Sequence, residues 1–252
     1  MADTPIDRSI AFEAIDNFRD LSGLVTRDGQ TIRRGRVFRS GDPRDMTRSD
    51  YAKLTDDLGL RTILDFRRLD ELETKGISPL IKPPVQHRNI ELVRLDGPDV
   101  VALEARSAGN LGKVYEGSVA NTGFGQRLVA GLEVIADLEN HSLVFHCSLG
   151  KDRAGLFAAI LLATLGVTDD DIASDYALSD ESGRRQLENE MAEVGDVEQS
   201  RSMPEWVYRA APESILHAMA FARREHGSVE RYLRARGADA TLPDRLRRAL
   251  LD

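Results

Sequence analysis

An α/β fold, with a mixed central sheet flanked by helices, is what this 252-residue sequence predicts, and three observations carry the prediction. Short apolar segments rich in Val, Ile, Leu and Phe alternate along the chain with longer helical patterns. One stretch, LVFHCSLGKDRAGLFAAILLATL at Leu143–Leu165, runs from an apolar strand through a short polar loop into an apolar helix. No repeat and no low-complexity tract interrupts the alternation.

In chain order, Arg36–Arg39 and Arg61–Phe66 read as short strands with a helix near Arg48–Leu58 between them. The Pro83-Pro84 break precedes a further strand over Val85–Val93. Asp96–Gly123 carries many glycines and a Gly-Pro-Asp turn and reads as a substrate-facing loop. A helix from about Phe124 to Glu139 leads into the strand Leu143–His146, and a helix over Ala154–Leu165 is apolar on nearly every face, which predicts central burial. Gly166 stops that helix, and Thr168 followed by Asp169–Asp171 supplies an N-cap and an acidic first turn for the next. Ser182–Met203 is charged and helical in its first half; Pro212–Asp252 reads as three short helices broken at Gly227 and Gly237.

Composition narrows the class. The length suits a single enlarged domain over residues 1–252 or a domain with a helical insertion. A single cysteine excludes an intramolecular disulfide, and a net charge of −8 disfavours nonspecific nucleic-acid or anionic-membrane partners. MADTPIDRSIAFEAI lacks a basic stretch followed by an apolar one, and the longest apolar run, Leu156–Leu165 with its flanks, is too short to span a bilayer. The expectation is a cytoplasmic protein without stable membrane association.

The cysteine, Cys147, stands at the strand-to-loop junction. It and Arg153 enclose Ser148, Leu149, Gly150, Lys151 and Asp152, a loop short enough for successive N–H groups to curl around one anion. The following helix directs its unpaired N–H groups and positive dipole end at the same place. Thiols at helix N-termini titrate at roughly 3.5–7.5 and are mostly thiolate at neutral pH, so a nucleophile is available without a base. Arg153 can hold two phosphoryl oxygens at once. The bland alternative is that Cys147 is a small buried hydrophobe, but Gly150 and three adjacent charges have no place in a merely structural turn. An ATP-type phosphate loop is excluded: no hydroxyl residue follows Lys151, and Phe145 stands where the first glycine belongs.

His146-Cys147 followed by Gly150-Lys151-Asp152-Arg153-Ala154-Gly155 resembles the signature of protein tyrosine phosphatases. Within these it resembles the bacterial tyrosine phosphatase-like branch that includes mycobacterial protein tyrosine phosphatase B. NFRDLSG at Asn17–Gly23, GRVFRSGDP at Gly35–Pro43, ILDFRRLDELE at Ile63–Glu73, DYALS at Asp175–Ser179 and GSVERYLRARGA at Gly227–Ala238 resemble that branch in its order. The resemblance implies the protein tyrosine phosphatase fold, with extra helices near 182–210 covering the site as a lid; a solvated helix with no gating role is the alternative. It also implies metal-independent, cofactor-free hydrolysis of phosphate monoesters. Phosphotyrosine in proteins comes first and phosphoserine, phosphothreonine or phosphoinositides second, with inorganic phosphate as product.

Roles follow from these residues. Cys147 attacks phosphorus and carries the phosphoryl group, while the N–H groups of Ser148–Arg153 and the Arg153 side chain bind the equatorial oxygens. His146 ends a strand and reads as an orienter. Lys151 either attracts a dianion or further phosphates, or is a solvent-exposed loop residue. For the general acid the resemblance favours Asp152 over Asp99, and Asp65 reads as an ion-pair partner that fixes Arg153 or Lys151. One departure stands out: most relatives place Ser or Thr after the loop arginine, and this chain has Ala154, which predicts slow breakdown of a phosphocysteine. A catalytically idle phosphate-binding module and a thiol or sulfurtransferase-type protein are the alternatives, though no second cysteine is present to resolve an oxidised Cys147.

Overall fold

The computed structural model describes residues 8–93, 109–193 and 204–252. Strands β1 (Arg19–Asp20), β2 (Val37–Ser40), β3 (Thr62–Asp65), β4 (Gln86–Asn89) and β5 (Leu143–His146) form one sheet in the order β1-β2-β5-β3-β4. The last four in that order run parallel, and β1 is an antiparallel edge. Parallel neighbours require crossovers. Helix α1 (Arg48–Ala52), prolonged by a wide turn over Lys53–Asp57, joins β2 to β3, and α2 (Leu69–Lys75) joins β3 to β4. The register sets Ser40, His146, Asp65 and Asn89 side by side at the strands' carboxyl ends. Cys147 therefore emerges between the ends of β2 and β3, the edge at which open parallel sheets receive ligands.

The strands alternate their faces with period two. Phe38, Ile63 and Val144 point into one apolar layer with Ile15, Phe18, Met46 and Leu54. Val37, Leu64, Leu143 and Phe145 point into the other, against the helices. These are α3 (Leu111–Ala120), α4 (Thr122–Ala136), α5 (Asp152–Leu165), α6 (Asp169–Ala177), α7 (Asp180–Glu193), α8 (Pro212–His226), α9 (Val229–Ala235) and α10 (Leu242–Leu250). Helix α5 is the central one, buried along almost its whole length as its uniformly apolar sequence predicts, and Gly166 ends it in the left-handed conformation at φ 95°. It begins at Asp152, two residues earlier than the sequence pattern places it.

The expected loop over Asp96–Gly123 is corrected in its second half, where α3 forms, while residues 94–108, including Asp99, lie outside the described residues. The Asn110 side chain accepts from the Lys113 N–H at 3.0 Å, and Leu111, Tyr115 and Val119 present a buried stripe at helical spacing. Gly112, which argues for a loop on propensity, instead allows close approach to α8: a Cβ there would meet the His217 Cβ at 3.1 Å. Packing overrides propensity here. The first carboxyl-terminal helix runs over Pro212–His226 and ends at Gly227, where the sequence pattern breaks it. Among the described residues no helix is long and apolar enough to cross a membrane.

Phe145 couples the sheet to α5. Fully buried, its ring lies 5.9 Å from Phe66 and 5.0 Å from Phe157. Phe145→Ala is expected to lower the unfolding free energy by about 3–5 kcal/mol, read as a fall in the urea midpoint at unchanged slope.

Candidate active site

Between β5 and α5 the loop's carbonyls are all turned outward and held. The Cys147 carbonyl faces His146 Nδ1 at 3.1 Å, and that of Ser148 accepts from the Asp42 N–H at 2.9 Å. Asn17 Nδ2 donates to the Leu149 carbonyl at 2.9 Å. Arg39 holds two more, donating from Nε to Gly150 at 2.9 Å and from Nη2 to Lys151 at 3.1 Å. A tight loop whose carbonyls are pinned outward turns its N–H groups toward a common centre, which makes an anion-binding nest at the start of a helix. Gly150 is indispensable to this path. Its φ is 71°, and a Cβ would lie 2.3 Å from the Ser40 carbonyl oxygen.

Arg39, on β2, is itself fully buried and anchored by Asp175 of α6, whose Oδ2 lies 2.8 Å from Arg39 Nη1. Arg19, on β1, reaches the other oxygen at 3.1 Å, and Arg8 lies 2.9 Å from it. Burial alone would raise the Asp175 pKa, but Arg19, Arg39 and Arg8 outweigh it and hold the carboxyl below the usual range. Burial, then the neighbouring Arg19, lowers the Arg39 pKa to about 10, which still leaves it charged at neutral pH. Three guanidiniums around one carboxylate leave a positive field beneath the nest, favouring an anion there.

Arg153, in the first turn of α5, is gripped by Glu71 of α2. Its Nη1 pairs with Glu71 Oε2, and its Nη2 lies 3.0 Å from Oε1. The Ser148 hydroxyl joins both, donating to Glu71 Oε1 at 2.5 Å and accepting from Arg153 Nη2 at 3.2 Å. Burial opposes the Arg153 charge, but the Cys147 sulfur and Glu71 outweigh it and raise the guanidinium pKa above the ordinary value. Burial likewise pushes the Glu71 carboxyl up, and its bonds to Arg153, Ser148 and the Arg68 N–H bring it down to about 2.

Asp152 opens α5 with its side chain half exposed. Oδ1 accepts from the Tyr115 hydroxyl at 2.5 Å and lies 3.2 Å from Lys151 Nζ. Lys151 is buried, which removes the alternative of a solvent-exposed loop residue: its ammonium is held by the carbonyls of Val207 and of Arg209, the latter at 3.2 Å. Ala154 is fully buried and brings no hydroxyl to the loop.

Asp65 does not reach Arg153 or Lys151, which corrects the expectation. It ends β3 fully buried, and its carboxylate accepts from Arg67 Nη2 at 2.7 Å, from Arg67 Nε at 3.0 and 3.1 Å and from the Arg67 N–H at 2.8 Å. Glu71, further along the chain in α2, has the reach that Asp65 lacks. Burial would raise the Asp65 pKa, but His146, His87 and Arg67 outweigh it and hold the carboxyl low. His146 is buried, and that burial lowers its pKa below the usual imidazole range. Donor atoms of Asp65, His87 and His146 all lie within 4.8 Å of one another, a spacing that suits a metal ion. Asp65 Oδ2 already lies 3.0 Å from His87 Nε2 and accepts from two Arg67 nitrogens, so a guanidinium occupies that oxygen.

A family model described as the tyrosine phosphatase family matches residues 10–252. The chain belongs to that family. It is 28% identical over 250 residues to a provisionally named tyrosine-protein phosphatase of Cupriavidus necator, covering 89% of this chain and 82% of the relative. It is 27% identical over 207 residues to a tyrosine-protein phosphatase of Nostoc commune, covering 75% and 68%. Among solved structures, Pseudomonas aeruginosa TpbA superposes with a TM-score of 0.35 at 16% identity, over 87% of this chain and 89% of its own. The catalytic core of Saccharomyces cerevisiae SIW14, a PP-IP phosphatase, gives 0.36 at 16% identity over 65% and 76%. Superpositions this loose carry no argument. The family assignment makes the chain a phosphatase.

Sequence reasoning missed the phosphatase's Glu71, Arg39, Asp175, Asn17 and Tyr115. The first four lie within segments that already resembled the family, and that clustering was the available signal; Tyr115 sat in a stretch read as loop. The Glu71–Arg153 pair generates a pH prediction. The Glu71 carboxyl is depressed from 4.5 to about 2, so its stabilising contribution is full above 4.5 and disappears as pH falls through about 2. Urea unfolding of the wild type and Glu71→Gln is expected to show a gap at neutral pH that narrows steadily below pH 4.5; a gap that stays constant to about pH 2.5 overturns the assignment.

Proposed function

We propose that this phosphatase is a cysteine-dependent hydrolase of phosphate monoesters, phosphotyrosine in proteins first, working through a phosphocysteine intermediate without metal or cofactor. The reading is carried by the pinned carbonyls of Cys147–Lys151, which aim the loop's N–H groups at one anion directly in front of the only sulfur nucleophile. Cys147 attacks phosphorus as a thiolate. The S–P bond forms while the bond to the ester oxygen breaks, and Asp152 gives that oxygen its proton. Arg153, its orientation set by Glu71 and Ser148, binds two equatorial oxygens as charge spreads over them. Water then attacks phosphorus, Asp152 takes the water's proton, and the thiolate leaves with release of inorganic phosphate.

The whole chain, 1–252, serves as one phosphatase domain of the branch resembling mycobacterial protein tyrosine phosphatase B, acting in the cytoplasm. The lid reading of 182–210 is favoured by the way the carbonyls of Val207 and Arg209 cap Lys151, and by Gly183, whose missing Cβ makes room for the Tyr208 carbonyl; residues 194–203 lie outside the described residues. The same capping speaks against phosphoinositides as first substrates, because the lysine that would greet extra phosphates is occupied.

Cys147→Ser is expected to abolish turnover of an aryl phosphate in chelator while phosphate binding, measured by calorimetry, survives. Substantial residual turnover overturns the mechanism, and an inert wild type leaves only an idle binding module. Arg153→Lys should lose roughly 10- to 150-fold in kcat/KM, the equivalent of one charge-assisted hydrogen bond.

Ala154 generates a second prediction. With no hydroxyl at the position after the loop arginine to help the sulfur leave, breakdown of the phosphocysteine limits turnover, and rapid mixing with an aryl phosphate should release a burst of phenol near one equivalent. Ala154→Ser should raise the steady rate and shrink the burst; an absent burst with no gain in the variant rules out this account.

A further inference from the structure

We propose that Tyr115, braced by Tyr176, is the positioning residue of the general acid: it pins one oxygen of Asp152 so that the other faces the departing ester oxygen. The inference rests on the reading of Asp152 as the acid and adds what holds it in place. Asp152 stands in the first turn of α5 with its side chain 41% exposed, so the direction of its carboxyl depends on the bonds it makes. Tyr115, on α3, is buried and donates to Oδ1 at 2.5 Å. Tyr176, on α6, is buried beside it, with hydroxyls 2.7 Å apart and rings edge to face at 6.1 Å. Because the Tyr115 proton is committed to Asp152, the bond between the phenols runs from Tyr176 to Tyr115. The chain Tyr176→Tyr115→Asp152 has one direction.

Its backing is rigid. A Cβ on Gly155 would meet the Tyr176 ring at 2.9 Å, so the ring packs directly on the first turn of α5, the turn that carries Asp152. Burial first, and the Asp152 charge next, raise the Tyr115 pKa well above the ordinary phenol, so it remains a donor throughout the working range. The other charged groups near Asp152 are Lys151, 3.2 Å from the same oxygen, and Arg153 on its own helix; Asp180 of α7 acts through Lys151 and Tyr176. Both close donors lie on Oδ1. That leaves Oδ2 for the chemistry: its O–H bond breaks as the ester oxygen takes the proton, and the negative charge left on Asp152 is met at Oδ1 by the Tyr115 O–H and the Lys151 ammonium. In the second step the same oxygen receives the proton of the attacking water, and the phenols stay protonated throughout.

The test reads kcat/KM, which reports steps through formation of the phosphocysteine and is untouched by slow breakdown. Two ester series are compared, activated aryl phosphates and alkyl or unactivated aryl phosphates. Asp152→Asn should slow the poor leaving groups by about 100-fold or more and the activated esters far less. Tyr115→Phe should show the same selectivity at about 10-fold, and Tyr176→Phe the same at a smaller factor. The deciding measurement is the double variant Tyr115→Phe/Asp152→Asn, which should match Asp152→Asn within about twofold, since a positioning residue has nothing left to position. If Asp152→Asn slows both series alike, the acid assignment falls and this inference with it. If Asp152→Asn is selective but Tyr115→Phe is unselective, or its effect multiplies in the double variant, Asp152 stands as the acid and Tyr115 is merely structural. Should Tyr115→Phe fold poorly because the Tyr176 hydroxyl is left unpaired, Tyr115→Phe/Tyr176→Phe removes both hydroxyls and is judged by the same selectivity.

Discussion

The buried contact between Arg39 and the backbone of the loop is the constraint on which the rest of the site depends. A guanidinium with no exposure to solvent is costly unless it is paired and hydrogen-bonded, and each of the three Arg39 nitrogens has a partner among the Gly150 and Lys151 carbonyls, Asp175 and the Ser179 hydroxyl. The same bonds that make the arginine tolerable turn the loop inside out, carbonyls away from its centre. Because Arg39 lies in β2 opposite Phe145 of the parallel strand β5, the register of the sheet sets where that guanidinium arrives. A slip of one residue would send it to the opposite face. Removing one partner from such a buried cluster typically costs about 3–5 kcal/mol, so loop shape and fold stability are tied together through one side chain.

Two further ion-pair networks flank the loop. On the α2 side, Glu71 and Ser148 hold Arg153 in a forked geometry. On the β3 side, Arg67 bridges Asp65 and Asp42, reaching Asp42 Oδ2 at 2.7 Å, while the Asp42 N–H holds the Ser148 carbonyl. Asp42 thus connects the Arg67 cluster to the loop without entering its centre. The chain carries a net charge of −8, yet the ground beneath the loop is positive because Arg8, Arg19 and Arg39 share the single carboxylate of Asp175. Net charge describes the molecule's surface; the site's field is set by a few buried pairs.

What could be read in the sequence and what could not divide along sequence separation. Strand, loop and helix over Leu143–Leu165 are contiguous, so the periodicity, Gly150 and Gly166 declare them locally. The partners of the loop lie far away along the chain: Glu71 is 82 residues from Arg153, and Arg39 is 136 from Asp175. No local pattern selects Glu71 over Asp65 for Arg153, since both are carboxylates of the same strand–helix unit. Reach decides it, and reach is a property of the fold. Helix α3 was illegible for a different reason: its glycines argue for a loop, and only the nearness of α8 turns Gly112 into an advantage.

Lys151 shows how the same charge can serve two ends. Next to a phosphate nest, an exposed ammonium widens recognition toward polyphosphorylated ligands, because it can approach a second phosphate as a point charge. Here it is turned into the protein, where two carbonyls and the Asp152 carboxylate satisfy its donors and the segment at Val207–Arg209 closes over it. A ligand phosphate that recruits Lys151 must replace all three acceptors and lift that segment, whereas a monoester that fills only the nest asks nothing of it. The difference in cost falls on the ligand with the second phosphate, which is why the proposed reading puts phosphate monoesters first. Lys151 meanwhile joins the segment at Val207–Arg209 to Asp152, so the position of that segment and that of the Asp152 carboxylate share one side chain.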